Sequence, residues 1–155
     1  MGSECLVAYC GLYCDLCEQR ARIPKSAQTL LKEMREAGYE HFGPHMPGFK
    51  EFWAFLQGLV DVPQEKRCRG GGCGAPFCVI RKCALERGVT VCADCEAFPC
   101  GRIETLARSE ATLIHDNRRL RAIGLKAWVA EQQERLRAGF CYAGVRTGPC
   151  EVPRE

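Results

Sequence analysis

The sequence has no long apolar run and no basic leader. No stretch of about eighteen apolar residues occurs in it, so no segment is predicted to span a membrane. The first twelve residues contain Glu4 and no basic start, and Cys10 and Gly11 interrupt their apolar stretch, so a signal peptide is not expected. These absences predict a cytoplasmic protein, in which thiols stay reduced and closely spaced cysteines usually bind metal.

The sequence also lacks the common catalytic signatures. Its glycine run at residues 69–74 contains no GK[ST], so it is not a phosphate-binding loop. No paired carboxylates, nucleophile elbow or Cys/His arrangement stands out, and no catalytic residue is predicted. The three histidines, His41, His45 and His115, are not expected to be ligands, because the sequence has enough cysteines to complete its metal sites. We therefore expect a non-catalytic protein rather than an enzyme.

Cysteine is the residue that the sequence has in excess. It accounts for 13 of 155 residues, near the density at which metal or covalent links dominate a fold. The odd count suits complete disulfide pairing poorly. Cys5, Cys141 and Cys150 lie outside the dense region and are expected to be free thiols that pack as small apolar residues. The predicted metal ligands are Cys10, Cys14, Cys17, Cys68, Cys73, Cys78, Cys83, Cys92, Cys95 and Cys100.

The spacing of these cysteines predicts two four-cysteine zinc sites. Two cysteines separated by two residues can both reach one tetrahedral ion, so the distant pairs Cys14/Cys17 and Cys92/Cys95 are expected to hold one zinc together. A second ion is expected at more loosely spaced cysteines. These are Cys68, Cys73, Cys78 and Cys83, with Cys100 as a further candidate.

Two alternatives to structural zinc remain open. Cys10, Cys14 and Cys17 have the CxxxCxxC spacing that can hold three irons of a [4Fe–4S] cluster, and thiolates suit both metals. Radical chemistry with S-adenosylmethionine uses this spacing too, but no alternating strands and helices of a barrel are predicted, which excludes that class. An iron–sulfur protein for electron transfer or redox sensing is one alternative. A zinc-thiolate transfer enzyme with Cys78 as nucleophile is the other.

The formal charge of +3 does not indicate a nucleic-acid partner. Eight thiolates would add eight negative charges and two zinc ions four positive ones, which leaves the loaded protein near −1. Nucleic-acid binding is therefore not expected. We expect a protein partner instead. Basic residues near the cysteines are expected to offset thiolate charge. They are Lys66, Arg67, Arg69, Arg81 and Lys82.

Hydrophobic periodicity predicts a mainly α fold in one domain, with a short zinc-ribbon-like hairpin near the metal as a possible addition. The expected segments are an N-terminal cysteine motif (1–20), a helical pair (21–65), a cysteine-rich metal-binding centre (66–101), C-terminal helices (102–139) and a tail (140–155).

Particular residues mark the expected helices. Ser26 is predicted to cap the first long helix and Gly38 to end it, while residues 79–87 are predicted to form a short helix that presents Cys83. Cys92 and Cys95 are predicted to lie on a turn. Gly124 is expected to separate the last two helices. The helical pair is expected to share one core with the C-terminal helix. That core would contain Leu30, Leu31, Met34, Phe52, Trp53 and Leu56, packed on Leu125, Trp128 and Val129.

These motifs together resemble a known family. Residues 10–17 (CGLYCDLC), 78–88 (CVIRKCALERG), 92–95 (CADC) and 98–100 (FPC) are similar to the prokaryotic cysteine-rich domain-of-unknown-function family number 3795. The likeness extends to residues 38–56, 123–125 and Trp128. The resemblance implies a protein that binds zinc or an iron–sulfur cluster and that has no established activity.

Overall fold

The computed structural model describes residues 3–61, 67–71, 77–149 and 153. The chain is mainly helical over these residues. The α-helices are α1 (Glu18–Ala21), α2 (Ile23–Glu36), α3 (Tyr39–Phe42), α4 (Phe49–Val60), α5 (Val79–Glu86), α6 (Gly101–Ala107), α7 (Leu113–Ile123) and α8 (Leu125–Arg137). Short 3-10 turns are formed by Ser3–Leu6, Cys14–Leu16, Gly43–His45, Cys68–Gly70, Cys92–Asp94 and Tyr142–Gly144.

The predicted mainly α class is confirmed, and the possible hairpin is not supported. Over the described ranges, the only β pairing is an isolated antiparallel bridge between Val7 and Tyr13. The described cysteine segments at Cys14, Cys68 and Cys92 adopt 3-10 turns, and Cys78 and Cys100 directly precede α5 and α6. No helix in the described part of the chain is long and apolar enough to cross a membrane.

Helix α2 begins earlier than predicted. Its first residue is Ile23, with Pro24 in the first turn, so Ser26 lies inside the helix and does not cap it. Proline suits this position because its fixed φ and missing N–H cost nothing in the first turn. The predicted end is confirmed, since Gly38 follows the helix with a positive φ of 84°. Gly124 also separates α7 from α8 as predicted.

The helical pair does not share a core with the C-terminal helix, contrary to the prediction. Ala27, Leu31 and Leu56 pack α2 against α4 in a cluster of their own. Leu30 and Phe52 belong to the exposed apolar side chains of the two helices. Leu31 and Leu56 of the predicted stripes are buried, whereas Leu30 and Phe52 are not. An apolar stripe also does not specify which neighbour covers it.

The largest buried cluster joins the N-terminal motif to the end of the chain. Tyr13 and Leu16 pack with Leu120 of α7, Trp128 of α8 and Tyr142. The Tyr13 and Trp128 rings meet edge to face, with centroids 6.2 Å apart. The Tyr13 N–H donates to the Tyr142 hydroxyl oxygen at 3.0 Å. This cluster fixes the first cysteine motif against α7 and α8.

Candidate metal centre

The two CxxC motifs have the same local conformation. Cys14–Leu16 and Cys92–Asp94 are both 3-10 turns. The Cys17 N–H donates to the Cys14 carbonyl, and the Cys95 N–H donates to the Cys92 carbonyl, both at 3.1 Å. A turn of this kind brings the first and fourth residues close together, as two ligands of one tetrahedral ion require. The expectation that Cys92 and Cys95 lie on a turn is confirmed.

Backbone hydrogen bonds dock the N-terminal motif beside the cysteine-rich centre. The Cys92 N–H donates to the Tyr9 carbonyl oxygen at 2.7 Å. Arg69 bridges the same two segments, since its Nε donates to the Val7 carbonyl at 2.7 Å and its Nη2 to the Thr90 carbonyl at 2.6 Å. Cysteines that are far apart in sequence are therefore held next to one another.

Four cysteines line one small cavity of about 60 Å³. Cys83 comes from α5, Cys92 and Cys95 from the second CxxC turn, and Cys100 from the residue that precedes α6. We call these four residues the outer cysteine group. Helices α5 and α6 pack against each other, and this packing brings together cysteines from three separate elements.

Two guanidinium groups lie at the outer cysteine group. Arg102 Nη1 is 3.2 Å from Cys83 Sγ, and Arg87 Nη1 is 4.0 Å from Cys95 Sγ. The Cys83 thiol, followed by that of Cys95, raises the pKa of Arg87 through hydrogen bonding and charge interaction. Cationic donors at this distance would offset part of the negative charge of a metal-bound four-cysteine site.

A second set of thiols lies deeper, and we call Cys10, Cys14, Cys68 and Cys78 the inner cysteine group. Cys14 and Cys68 are buried together, with Cys10 packed against them. Burial raises the pKa of the Cys10 thiol well above its usual range, and the neighbouring thiols of Cys92, Cys78 and Cys14 raise it further. Cys10 and Cys78 also pack on the apolar cluster around Ile80 and Ile103, as do Cys92 and Cys100 of the outer group.

Burial keeps several of these thiols protonated at neutral pH. It raises the pKa of Cys92 to about 12, with the thiols of Cys100 and Cys83 as the next causes. It also raises the pKa of Cys17 to about 12, and the Glu18 carboxylate adds to this effect. Because a metal binds the thiolate, any ion that enters must displace these protons, and its affinity must fall as the pH is lowered.

The structure places Cys92 and Cys95 at one cavity with Cys83 and Cys100, and Cys14 and Cys17 do not line this cavity. The predicted sharing of one ion by Cys14, Cys17, Cys92 and Cys95 stays a prediction, because the spacing of two CxxC turns is compatible with either partner set. Cys73 and Cys150 lie outside the described residues. Within the described ranges, no three His, Cys, Asp or Glu side chains are close enough to hold one ion as they stand.

Two of the basic residues expected to offset thiolate charge make other contacts. Arg69 binds backbone carbonyls, and Arg67 lies 3.8 Å from Asp15 as well as 4.0 Å from the Cys5 thiol. Lys66 lies outside the described residues. The two arginines found at the outer group, Arg87 and Arg102, were not predicted. The position of Arg87, four residues after Cys83, is a sequence signal that could have indicated it. Arg102 gives no such signal, because it reaches Cys83 only through the packing of α5 on α6.

Asn117 supports the N-terminal motif and was also missed. Its Nδ2 donates to the Cys10 carbonyl at 2.9 Å and to the Leu113 carbonyl at 2.8 Å. Gly11 allows this contact, because a Cβ atom at Gly11 would lie 2.2 Å from the Asn117 side chain. An asparagine on a helix gives no such signal in the sequence, since it depends on what α7 packs against.

A family model described as protein of unknown function (DUF3795) matches residues 6–105. The chain belongs to this family. The matched part contains both cysteine groups and ends within α6, so the family resemblance stated from the motifs is confirmed. Trp128 and Tyr142, which complete the largest buried cluster, follow the matched part. No curated protein and no solved structure matches the chain.

Proposed function

We propose that this member of the family is a metal-binding protein with two structural four-cysteine zinc sites. The observation that carries the proposal is the outer cysteine group, in which four thiols from three elements line one cavity. Four thiolate donors are the set that structural zinc sites prefer, and the two arginines would offset part of their negative charge. Zinc bound there would supply cross-links between elements and no redox chemistry.

The inner cysteine group is the proposed second site. Cys14 and Cys68 are buried together, and Cys10 has both Cys14 and Cys78 as neighbours. This arrangement would connect the N-terminal motif to the centre, which no disulfide between the described cysteines does. Cys17 and Cys73 remain as spare thiols in this assignment.

A closed four-thiolate site leaves no coordination position for a substrate, so we propose an accessory or interaction role rather than catalysis at the metal. The partner would be a protein. Exposed aromatic side chains of α4, Phe52 and Phe55, support this role because large apolar groups are common at such contacts. Replacing both by serine should abolish partner binding and leave the zinc content unchanged.

The metal assignment is tested by purifying the protein without oxygen and measuring zinc, iron and visible absorption. The expected result is a colourless protein with close to two zinc equivalents. Cys95→Ser should remove the outer ion and Cys14→Ser the inner one, each leaving about one equivalent. Cys141→Ala is the matched control, because Cys141 is also buried but belongs to neither group. A brown protein with iron and sulfide would establish the [4Fe–4S] alternative. Equal zinc content in all three variants would disprove the assignment of the two sites.

A further inference from the structure

Helices α2 and α4 leave four large apolar side chains exposed. They are Ile23 and Leu30 on α2 and Phe52 and Phe55 on α4, with exposed fractions between 37% and 68%. Ile23 and Leu30 are two helical turns apart, and Phe52 and Phe55 are neighbours about one turn apart, so each pair lies on one side of its helix. We call these four residues the α2–α4 face.

The two helices run antiparallel. Arg35 in the last turn of α2 lies over the ring of Trp53 in the first half of α4, with its guanidinium carbon 5.9 Å from the ring centroid. The buried contact between the helices is made by Ala27, Leu31 and Leu56. It does not use the residues of the α2–α4 face.

The exposed residues of both helices lie on the same side of the pair. Leu30 directly precedes the buried Leu31, and Phe55 directly precedes the buried Leu56. One residue corresponds to a rotation of about 100° around a helix, so both exposed side chains are rotated in the same sense from the buried contact. Because the helices are antiparallel, equal rotations lead to the same side. The four apolar residues therefore form one surface across two helices.

The borders of the α2–α4 face are acidic. Glu33 follows Leu30 by three residues, and Glu51 lies four residues before Phe55, so each carboxylate is a neighbour of an exposed apolar side chain. Both are exposed, and neither is in an ion pair with a described residue. The lysines of the two helices lie two residues from Ile23, Leu30 or Phe52 and are therefore nearly opposite on their helices. They are Lys25, Lys32 and Lys50.

This charge pattern favours one kind of occupant. A second copy of the chain would bring one acidic border against another, and like charges across a contact are unfavourable. An anionic membrane surface would be repelled for the same reason. A helix with an apolar stripe bordered by Lys or Arg would cover the apolar side chains and bring its cations to Glu33 and Glu51.

We propose that the α2–α4 face binds an amphipathic helix of a partner protein whose apolar stripe is bordered by basic residues. The inference rests on the interaction role proposed above and names the chemistry of the partner. The bound helix lies along α2 and α4, with its apolar residues at i, i+3, i+4 and i+7 on Leu30, Phe52 and Phe55. Since α2 and α4 contain no cysteine, this contact leaves both cysteine groups unchanged.

The test uses two designed peptides and the zinc-loaded, full-length protein. The basic peptide is a helix of about sixteen residues, long enough to span α4, with leucine at the four apolar spacings and lysine along both borders of that stripe. The acidic peptide has glutamate at every lysine position. Both peptides carry the same side-chain crosslink, because short peptides are marginally helical in water. Fluorescence anisotropy at low salt should give a dissociation constant at least about tenfold lower for the basic peptide, and added salt should narrow this difference.

Charge variants test the acidic borders. Glu33→Gln and Glu51→Gln should each reduce the preference for the basic peptide by about twofold or more. Glu40→Gln is the matched control, because it removes an exposed carboxylate that is paired with Arg35 at 3.0 Å and does not belong to these borders. This variant should keep the full preference.

An aromatic variant tests the apolar surface. Replacing Phe52 and Phe55 together by serine should weaken binding of the basic peptide by about tenfold or more. Leu136→Ser is the matched control, because Leu136 is an exposed apolar residue of α8.

Four results would overturn the proposal. They are equal dissociation constants for the two peptides, binding that survives the loss of both phenylalanines, dimerisation that the same double variant abolishes, and binding to phosphatidylglycerol vesicles that it abolishes. Equal affinities that both fall in the double variant would keep the interaction role and refute only the basic partner. Zinc is measured on the same samples, so two zinc equivalents without peptide binding would contradict the partner and leave the structural zinc sites in place.

Discussion

At the scale of single residues, Gly11 has the least space for a side chain among the glycines that the structure describes. Its φ is +91°, and a Cβ atom there would lie 2.2–2.5 Å from the amide group of Asn117. Gly11→Ala should therefore lower the free energy of unfolding by at least about 2 kcal/mol, from backbone strain and displacement of Asn117. Urea unfolding at a fixed zinc concentration measures this. Gly88→Ala is the control, since Gly88 has a φ of +64° and open space around it. This variant should lower the free energy of unfolding by about 1 kcal/mol. Equal losses of stability in the two variants would show that Asn117 can move aside at no cost in free energy.

Tyr142 provides a second test at this scale. Its hydroxyl oxygen accepts the hydrogen bond of the buried Tyr13 N–H. Tyr142→Phe leaves that donor without its partner, so stability should fall by about 1–3 kcal/mol. The ring remains in place, and packing is therefore largely kept. Tyr39→Phe is the control, because Tyr39 is an aromatic residue outside the largest cluster. Both variants are measured by urea unfolding. If Tyr142→Phe lowered stability no more than Tyr39→Phe, the hydrogen bond from the Tyr13 N–H would contribute nothing.

At the scale of elements, α4 has neighbouring residues in opposite surroundings. Leu56 is 3% exposed and packs on α2, whereas Phe55 is 68% exposed. Leu56→Ala should cost about 2–5 kcal/mol, and Phe55→Ala should stay within about 0.5 kcal/mol. Urea unfolding measures both. A cost for Phe55→Ala that rose with protein concentration would show that this face is covered by a second copy.

Sequence patterns predicted the elements better than their packing. The positions of α2, α4 and α5 and the turn at Cys92 follow from local spacing, and these predictions are confirmed except for the start of α2, which lies at Ile23 and not after Ser26. The partners of each cysteine do not follow, because a CxxC turn fits an ion beside any other pair of thiols. The outer cysteine group depends on how α5 meets α6, and the separation of Leu56 from Trp128 depends on the whole chain. The roles of Asn117 and Arg102 arise from the same long-range packing.

At the scale of the whole molecule, metal removal should affect the chain unevenly. Both proposed sites lie in the N-terminal motif and the centre, whereas α2 and α4 contain no cysteine and have their own buried cluster. Chelation at neutral pH should therefore raise amide hydrogen exchange in α5 and residues 92–100 more than in α2 and α4. A four-cysteine zinc site contributes on the order of 10 kcal/mol of apparent binding energy, enough to order such a segment. Unchanged protection after complete zinc removal would show that the fold stands without the ions.

The cluster of Tyr13, Trp128 and Tyr142 has a consequence for how the protein is made. Tyr13 and its hydrogen-bond partner are separated by 129 positions in the sequence. At a synthesis rate of about 5–20 residues per second, the first cysteine motif leaves the ribosome on the order of ten seconds before Tyr142 does. During that interval Cys10, Cys14 and Cys17 have no α7 or α8 to pack against. The nascent chain thus exposes reactive thiols to oxidants and competing ions before their surroundings exist.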